Sequence, residues 1–283
     1  MKMSLNTLYT VAGVSKQAVH KHFKRKKMFE EKLESLIWEV IELRKDHPGI
    51  GLEKVYYTLK PDFLGRDKFI EIFKELGFGL IKKPNYRRTT YRGEIYYPNL
   101  IEGMVVDGAN QVWQSDITYF RVGERFYYLV FIIDVYTKVI VGYNVSDSLR
   151  ATANIKALKM AVSHHGYPLI HHSDMGSQYT YKPYVKMLEE NGVKLSMSLR
   201  AYENAYAERI NRTIKEEYLQ YRNIKTLAQL KKHTTYSVKH YNEKRIHNHL
   251  NRITPKAFAY YYLTLGKQKR PKVIIPTESK RIN

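Results

Sequence analysis

The sequence predicts an α/β protein: a mixed sheet of five strands with flanking helices, preceded by N-terminal helical modules of helix-turn-helix type. Three observations carry this. Residues 113–121, 125–133 and 138–146 are consecutive runs rich in Val, Ile, Tyr and Phe, the composition of strands. Beyond them, helical and strand patterns alternate to give the order βββαβαβα, which suits a sheet covered by helices. Ahead of them, residues 4–76 show helical spacing broken by turn residues.

Residues 4–26 read as two short helices around a tight turn. Leu5, Leu8, Val11 and Ala12 recur at helical spacing, and Gly13 then breaks the helix. Ser15 is a good N-cap for a second helix with Ala18, Val19 and Phe23 inward. Its other face carries Lys16, Gln17, His20, Lys21 and Lys24. A helix-turn-helix lays such a face in the major groove of DNA; a plain structural hairpin is the alternative. A helix over 29–46 ends at His47-Pro48-Gly49, and helices over 52–60 and 66–76 form a second small unit before Gly77. The run KKPNYRRTTYR mixes cations, Arg87 and Arg88 among them, with tyrosines. Such a run either tracks a phosphate backbone or is a solvated linker.

After the three strands come a helix at 151–165, a short strand ending LIHHSD, a helix at 181–191, a strand at 193–198 and a helix over 203–220. The chain is then helical to about residue 263. A polar tail with Pro271 and Pro276 is expected to be partly disordered. The expected division is a helix-turn-helix at 1–28, a second DNA-binding helical module with its basic linker at 29–100, a catalytic core at 101–220, and a basic helical region with tail at 221–283.

The 283 residues include no cysteine, which excludes disulfides, thiol catalysis and cysteine-bearing zinc fingers. No signal peptide is read at the start, and the most apolar stretch, Tyr127 to Ile133, is strand length. No membrane association is expected, and the protein reads as soluble and cytoplasmic. Its net charge of +21 implies a polyanionic partner, nucleic acid above all. That charge is unevenly placed. Residues 1–100 carry +8, residues 101–220 are neutral, and residues 221–283 carry +13. A carboxylate-built site fits the neutral middle, with basic arms to grip phosphate.

Three acids in that middle stand out. Asp116 lies inside the first strand, in WQSDITYF, where burying a lone carboxylate is costly. Asp174 follows the strand LIHHS directly, at the carboxyl end where ligand sites gather. Glu208 is on the last helix of the core. Carboxylates from separate elements can converge to hold two Mg²⁺ or Mn²⁺ ions about 4 Å apart, the arrangement that phosphoryl transfer uses. Singly, each acid also reads as an ordinary surface group. The histidines at 164–165, 171–172, 240, 247 and 249 read as packing or hydrogen-bonding groups rather than a zinc site. Trp113 and Tyr119 read as core aromatics.

From about residue 11 to 262 the chain resembles the integrase-core (DDE) transposases of bacterial insertion sequences, of the type encoded in a second reading frame. The runs GVSKQAVH, PNYRRTT, NQVWQSDITYF, YLVFIIDVYTKVIVGY, IHHSDMGSQYT, ENAYAERINRTIKEEY and YNEKRIHNHLNRITPKAF carry the likeness. The resemblance implies an RNase H-like core of the retroviral-integrase type, with Asp116, Asp174 and Glu208 as the catalytic, metal-holding acids. It places Lys215 on the basic position that contacts terminal DNA, with Arg212 on the same helix face. Its implied partners are the terminal inverted repeats, target DNA, further copies of the chain on DNA, and the product of an upstream reading frame. Two departures stand against the family pattern. The interval from Asp174 to Glu208 is two residues shorter than usual, and Glu203 replaces the usual Asp. A non-catalytic helix-turn-helix regulator derived from a transposase, and a nuclease that only hydrolyses, are the rival readings.

Overall fold

The computed structural model describes residues 4–80 and 96–277. Arg87 and Arg88 lie outside the described residues. The chain forms two compact units, Met1–Ile81 and Lys82–Asn283.

In the first unit α1 (Leu5–Val11) is capped by the Ser4 hydroxyl, which accepts from the Thr7 amide. Gly13 then takes a positive φ of 65°, and Ser15 caps α2 (Lys16–Asp46) by accepting from the Ala18 amide. Two helices divided near residue 28 are expected from the sequence; one helix of 31 residues runs through that point. The reason is local. Residues 24–32, KRKKMFEEK, are helix formers without Gly or Pro, and the pairs Lys26–Glu30 and Lys27–Glu31 add spacing-matched attraction. The expected inward packing of Ala18 and Phe23 is also absent. Both are exposed, Val19 is only partly covered, and α1 buries no residue. A seven-residue helix has two turns, too little surface to shield a face of α2. The core of this unit lies further along, where Leu36 and Val40 meet α3 (Leu52–Leu59) and α4 (Arg66–Glu75) through Val55, Phe69 and Phe73.

The second unit begins with β1 (Val105–Val106) and the long hairpin β2 (Val112–Val122) and β3 (Arg125–Asp134), then β4 (Ile140–Ser146) and α5 (Thr152–His165). There follow β5 (Ile170–Ser173), α6 (Lys182–Glu189), β6 (Lys194–Met197) and α7 (Ala205–Thr213). The sheet order is β4-β3-β2-β5-β6, with β2, β3 and β4 antiparallel and β5 and β6 joined parallel to β2. This is the mixed five-stranded sheet expected from the sequence. Alternation along β3 sends Val130 and Ile132 to one face, against Ala157, Leu158 and Ala161 of α5. Leu129, Phe131 and Ile133 go to the other, against Ala207 and Ile210 of α7.

The helix expected over 203–220 is not uniform. A 3₁₀ turn (Ala201–Asn204) precedes α7, and a π turn (Ile214–Tyr218) and a second 3₁₀ turn (Leu219–Tyr221) follow it. Residues 221–277 pack with the core instead of standing apart. Leu230, Val238 and Tyr241 of α8 (Leu227–Glu243) join the α7 face of the sheet. Asn242 holds the edge strand by exchanging hydrogen bonds with both backbone groups of Ile140. Phe258 of α9 (Pro255–Tyr261), Tyr262 and Ile275 close a third cluster with Val112 and Tyr136. The tail, expected to be partly disordered, is ordered through Thr277: β7 (Val273–Ile274) pairs with β1 and Ile275 is buried. No helix among the described residues is long and apolar enough to cross a membrane.

Candidate active site

Parallel pairing of β2 with β5 sets Ser115 opposite Ser173. The next residue in each case is an acid, Asp116 within β2 and Asp174 directly beyond the end of β5, so the two acids follow a paired position on adjacent strands. Asp116 is half-buried. One carboxylate oxygen accepts from the Ile117 amide at 2.9 Å, the other from Asn211 Nδ2 of α7 at 2.8 Å. Asp174 Oδ1 accepts from the Gly176 amide at 3.1 Å. That turn is tight, since a Cβ on Gly176 would lie 3.0 Å from the same oxygen.

Burial, and after it the Asp174 charge, push the Asp116 carboxyl well above the usual carboxylate range. The Ile117 and Asn211 hydrogen bonds pull the other way, and Glu208 adds a smaller repulsion. An acid whose carboxyl is raised by burial and by a neighbouring carboxylate is one that a hard cation would stabilise as an anion, and oxygen donors suit Mg²⁺ or Mn²⁺. Asn211 Oδ1 is a further buried oxygen beside them, with no hydrogen-bond partner among the described residues. The donor chemistry therefore fits a divalent metal. Among the described residues, however, no three His, Cys, Asp or Glu side chains are already gathered closely enough to hold one. Glu208 is itself exposed in the first turn of α7, and like charge opposes its closing on Asp116.

The other acids of this region are engaged elsewhere. Glu203 Oε2 accepts from the amides of Leu199 and Arg200, at 2.6 and 3.2 Å, and so pins the turn before α7. Glu217, partly exposed, forms a two-pronged pair with the buried Arg245, both contacts 2.7 Å. Glu216 is exposed within the π turn. Uniform α-helical spacing from Glu208 therefore fails beyond Thr213. Glu208 remains three residues before Asn211, on the side of α7 that reaches Asp116.

Lys215 is half-buried in the π turn, its Nζ 5.8 Å from the Tyr119 ring centroid. Burial lowers its pKa, opposed by attraction to Asp116. Arg212 is exposed on the last turn of α7. In the other unit, Lys16, Gln17, His20 and Lys21 are all exposed on the first two turns of α2.

Sequence reasoning missed the amides that brace this site. Gln114 Oε1 accepts from the Tyr206 amide at 3.0 Å and the Ala207 amide at 3.4 Å, while its Nε2 donates to the Glu203 carbonyl. Asn204 Nδ2 donates to the Ser115 carbonyl at 2.9 Å. A signal was present: Gln114 precedes Asp116 by two, the same face of a strand, and Asn211 follows Glu208 by three. His172 is read from the sequence as bonding substrate or backbone. It is buried, shares a hydrogen bond with Ser196 Oγ on β6 and has the Glu203 backbone as a further partner.

The family model described as Integrase core domain matches residues 107–202, and a second model of the same description matches 191–255. The chain is 37% identical over 207 residues to the 31 kDa protein of insertion element IS600 of Shigella sonnei, covering 70% of this chain and 76% of that one. It is 30% identical over 230 residues to the transposase for insertion sequence element IS629 of the same organism, covering 78% of each. The transposase for IS904 of Lactococcus lactis is 35% identical over 170 residues, 58% of this chain and 67% of that one. Among solved structures, the HTLV-2 integrase catalytic core domain in complex with magnesium superposes with a TM-score of 0.45 at 19% identity, over 57% of this chain and 99% of that one. On these sequence matches and the five-stranded core, the chain belongs to the insertion-sequence transposases, polynucleotidyl transferases with an RNase H-like integrase core.

Proposed function

We propose that this transposase cuts the 3′ ends of its insertion element and joins them to target DNA, using Asp116, Asp174 and Glu208. The register of β2 on β5, which seats Asp116 beside Asp174, is the observation that carries the reading. The tie from Asn211 to Asp116 supports Glu208 as the third acid, because it brings the helix bearing Glu208 to the same carboxylate.

The first reaction adds water across a phosphodiester: the bond from phosphorus to the 3′-oxygen breaks, leaving a 3′-hydroxyl and a 5′-phosphate. In the second, that 3′-hydroxyl attacks a target phosphodiester and releases a new 3′-hydroxyl, with no net hydrolysis. Two Mg²⁺ or Mn²⁺ ions held by the three acids would polarise the phosphate and stabilise both the attacking and the leaving oxygen. Asn211 orients the Asp116 carboxylate, and Lys215 and Arg212 offer positive charge to the terminal strand. Lys16, Gln17, His20 and Lys21 present the face proposed to read the terminal inverted repeat, and Arg87 and Arg88 add phosphate contacts. Joining two ends calls for more than one copy on DNA, and the product of an upstream reading frame is a further partner of this reading. The site of action is the bacterial nucleoid in the cytoplasm.

The test uses end-labelled DNA carrying the element terminus with Mg²⁺. Asp116→Asn and Asp174→Asn are each expected to lose nicking and strand transfer below detection while retaining DNA affinity within about twofold. Near-normal strand transfer by either variant would make the site assignment wrong. Nicking without joined products would favour a hydrolytic nuclease, and a wild-type chain that binds DNA without cutting it would favour a silent regulator.

A further inference from the structure

We infer that Gln114 is a positioning residue: its buried carboxamide sets the start of α7, and through it the place of Glu208 relative to Asp116. This rests on the proposed role of Glu208. Gln114 has no exposed surface. Its three polar contacts all go to one short segment, Glu203 to Ala207, which leads directly into the turn bearing Glu208. The first amides of a helix have no partner within it. α7 has no cap from its own N-cap side chain, since Asn204 makes no such bond. Instead Asn204 donates across to Ser115, and Gln114 on the strand accepts the two amides that Asn204 leaves. The helix cap is thus supplied by the strand that holds the first acid, two residues away on the same face.

The consequence is geometric. Glu208 and Asp116 come from elements joined by no local chain, and their separation depends on where α7 starts against β2. Three amides fix that start and the axis beyond it: Gln114, Asn204, and Asn211 about two turns beyond Asn204. A ligand set drawn from two elements must be held to within about half an ångström to act together. Apolar burial of Ala207 and Ile210 presses α7 on the sheet but sets no such register along the strand.

The test replaces Gln114 with Met, which keeps the volume and removes the cap, in the full-length chain. The expected result is at least a tenfold rise in the Mn²⁺ concentration that half-saturates nicking, with most of the maximal rate recovered at saturation. Hydrogen exchange at Tyr206 and Ala207 should quicken at least tenfold with no metal present. Ile132→Val, a core change elsewhere, controls for simple destabilisation and should leave the metal requirement unchanged. Asn204→Ala, which removes the bond to Ser115 without offering a new cap, should move the requirement in the same direction and serves if Gln114→Met does not fold. Unchanged metal dependence in the folded variants, or slow amides in Gln114→Met, overturns the inference. Glu208→Gln is run beside them. If it is dead while the amide variants behave as wild type, the inference alone fails; if it is active, the reading of Glu208 fails.

Discussion

Glu203, Glu208 and Glu217 are chemically alike and close in the chain, yet their partners give them different work. Glu203 holds two backbone amides and Glu217 a guanidinium, while Glu208 is exposed beside the acid pair. Glu208→Gln is therefore expected to abolish Mg²⁺-dependent nicking. Glu203→Gln keeps an acceptor for the turn and should cost no more than roughly 1 kcal/mol of stability, with nicking reduced but present. Measuring both on one labelled substrate decides it; a dead Glu203→Gln beside an active Glu208→Gln reverses the assignment. The buried histidines add a pH effect. Burial drives the pKa of His171 and His247 down to about 3. Below the unfolded value of about 6.5 the unfolded chain binds protons that the folded chain refuses. Their contribution is complete above pH 6.5 and is lost as pH falls from there towards 3, by about 1.4 kcal/mol per pH unit for each group. Urea unfolding between pH 6.5 and 4 should show this, and His247→Gln should remove one group's share of the slope.

Two element contacts are expected to carry large effects. The π turn after α7 is tied to the segment just beyond α8 by the part-buried Glu217–Arg245 pair. Removing one partner leaves the other charge uncompensated, so Glu217→Gln should destabilise the fold by roughly 3–5 kcal/mol in urea, with Arg245→Met similar. A loss under about 1 kcal/mol would mean solvent reaches the pair. On the opposite face, β4 meets α5 at Gly142, where a Cβ would lie 2.3 Å from the Ala157 carbonyl oxygen and 2.8 Å from Ala161 Cβ. The carbonyl belongs to helix backbone and cannot swing away. Gly142→Ala should cost about 1–3 kcal/mol through displacement of α5, seen as a lowered melting temperature. An unshifted melting temperature would show that the helix accommodates the methyl group.

For the whole molecule the decisive property is how charge is distributed. A neutral stretch carries the acids, and the C-terminal 63 residues carry +13. Because that basic region shares two hydrophobic clusters with the sheet, its role has to be tested in the intact chain and not by removing it. Lys231, Lys232 and Lys239 are exposed on α8. If they meet DNA phosphates, changing all three to Gln should lower affinity and flatten the dependence of log affinity on log salt by up to about 0.9 per contact. The same titration on Lys16→Gln/Lys21→Gln tests the N-terminal arm. Unchanged salt slopes in both would remove the charge-partition argument.

Much of this protein was legible in its residues. The five strands of the main sheet fall within two residues of where the sequence places them; for β2, β3 and β4 the reason is that a pleated, half-buried surface selects β-branched and aromatic side chains locally. The motif runs identified the family; Asp116 stood out because a lone carboxylate is costly among apolar residues, Asp174 by its place at a strand end, and Glu208 by the resemblance. Local pattern says less about partners. It states which side of a strand is apolar, but not that β5 lies parallel to β2 with Ser173 opposite Ser115. It marks Ala18 and Phe23 as candidates for burial, but cannot tell that α1 is too short to cover them. The tail looked polar, and only pairing with β1 shows what orders it. Which of Glu203, Glu208 and Glu217 faces Asp116 is visible only with Arg245, two backbone amides and Asn211 in place around them. The sequence by itself determined the strands of the main sheet, the chemistry available and the family. Tertiary structure decided register and pairing, because those depend on hydrogen bonds and packing between residues far apart in the chain.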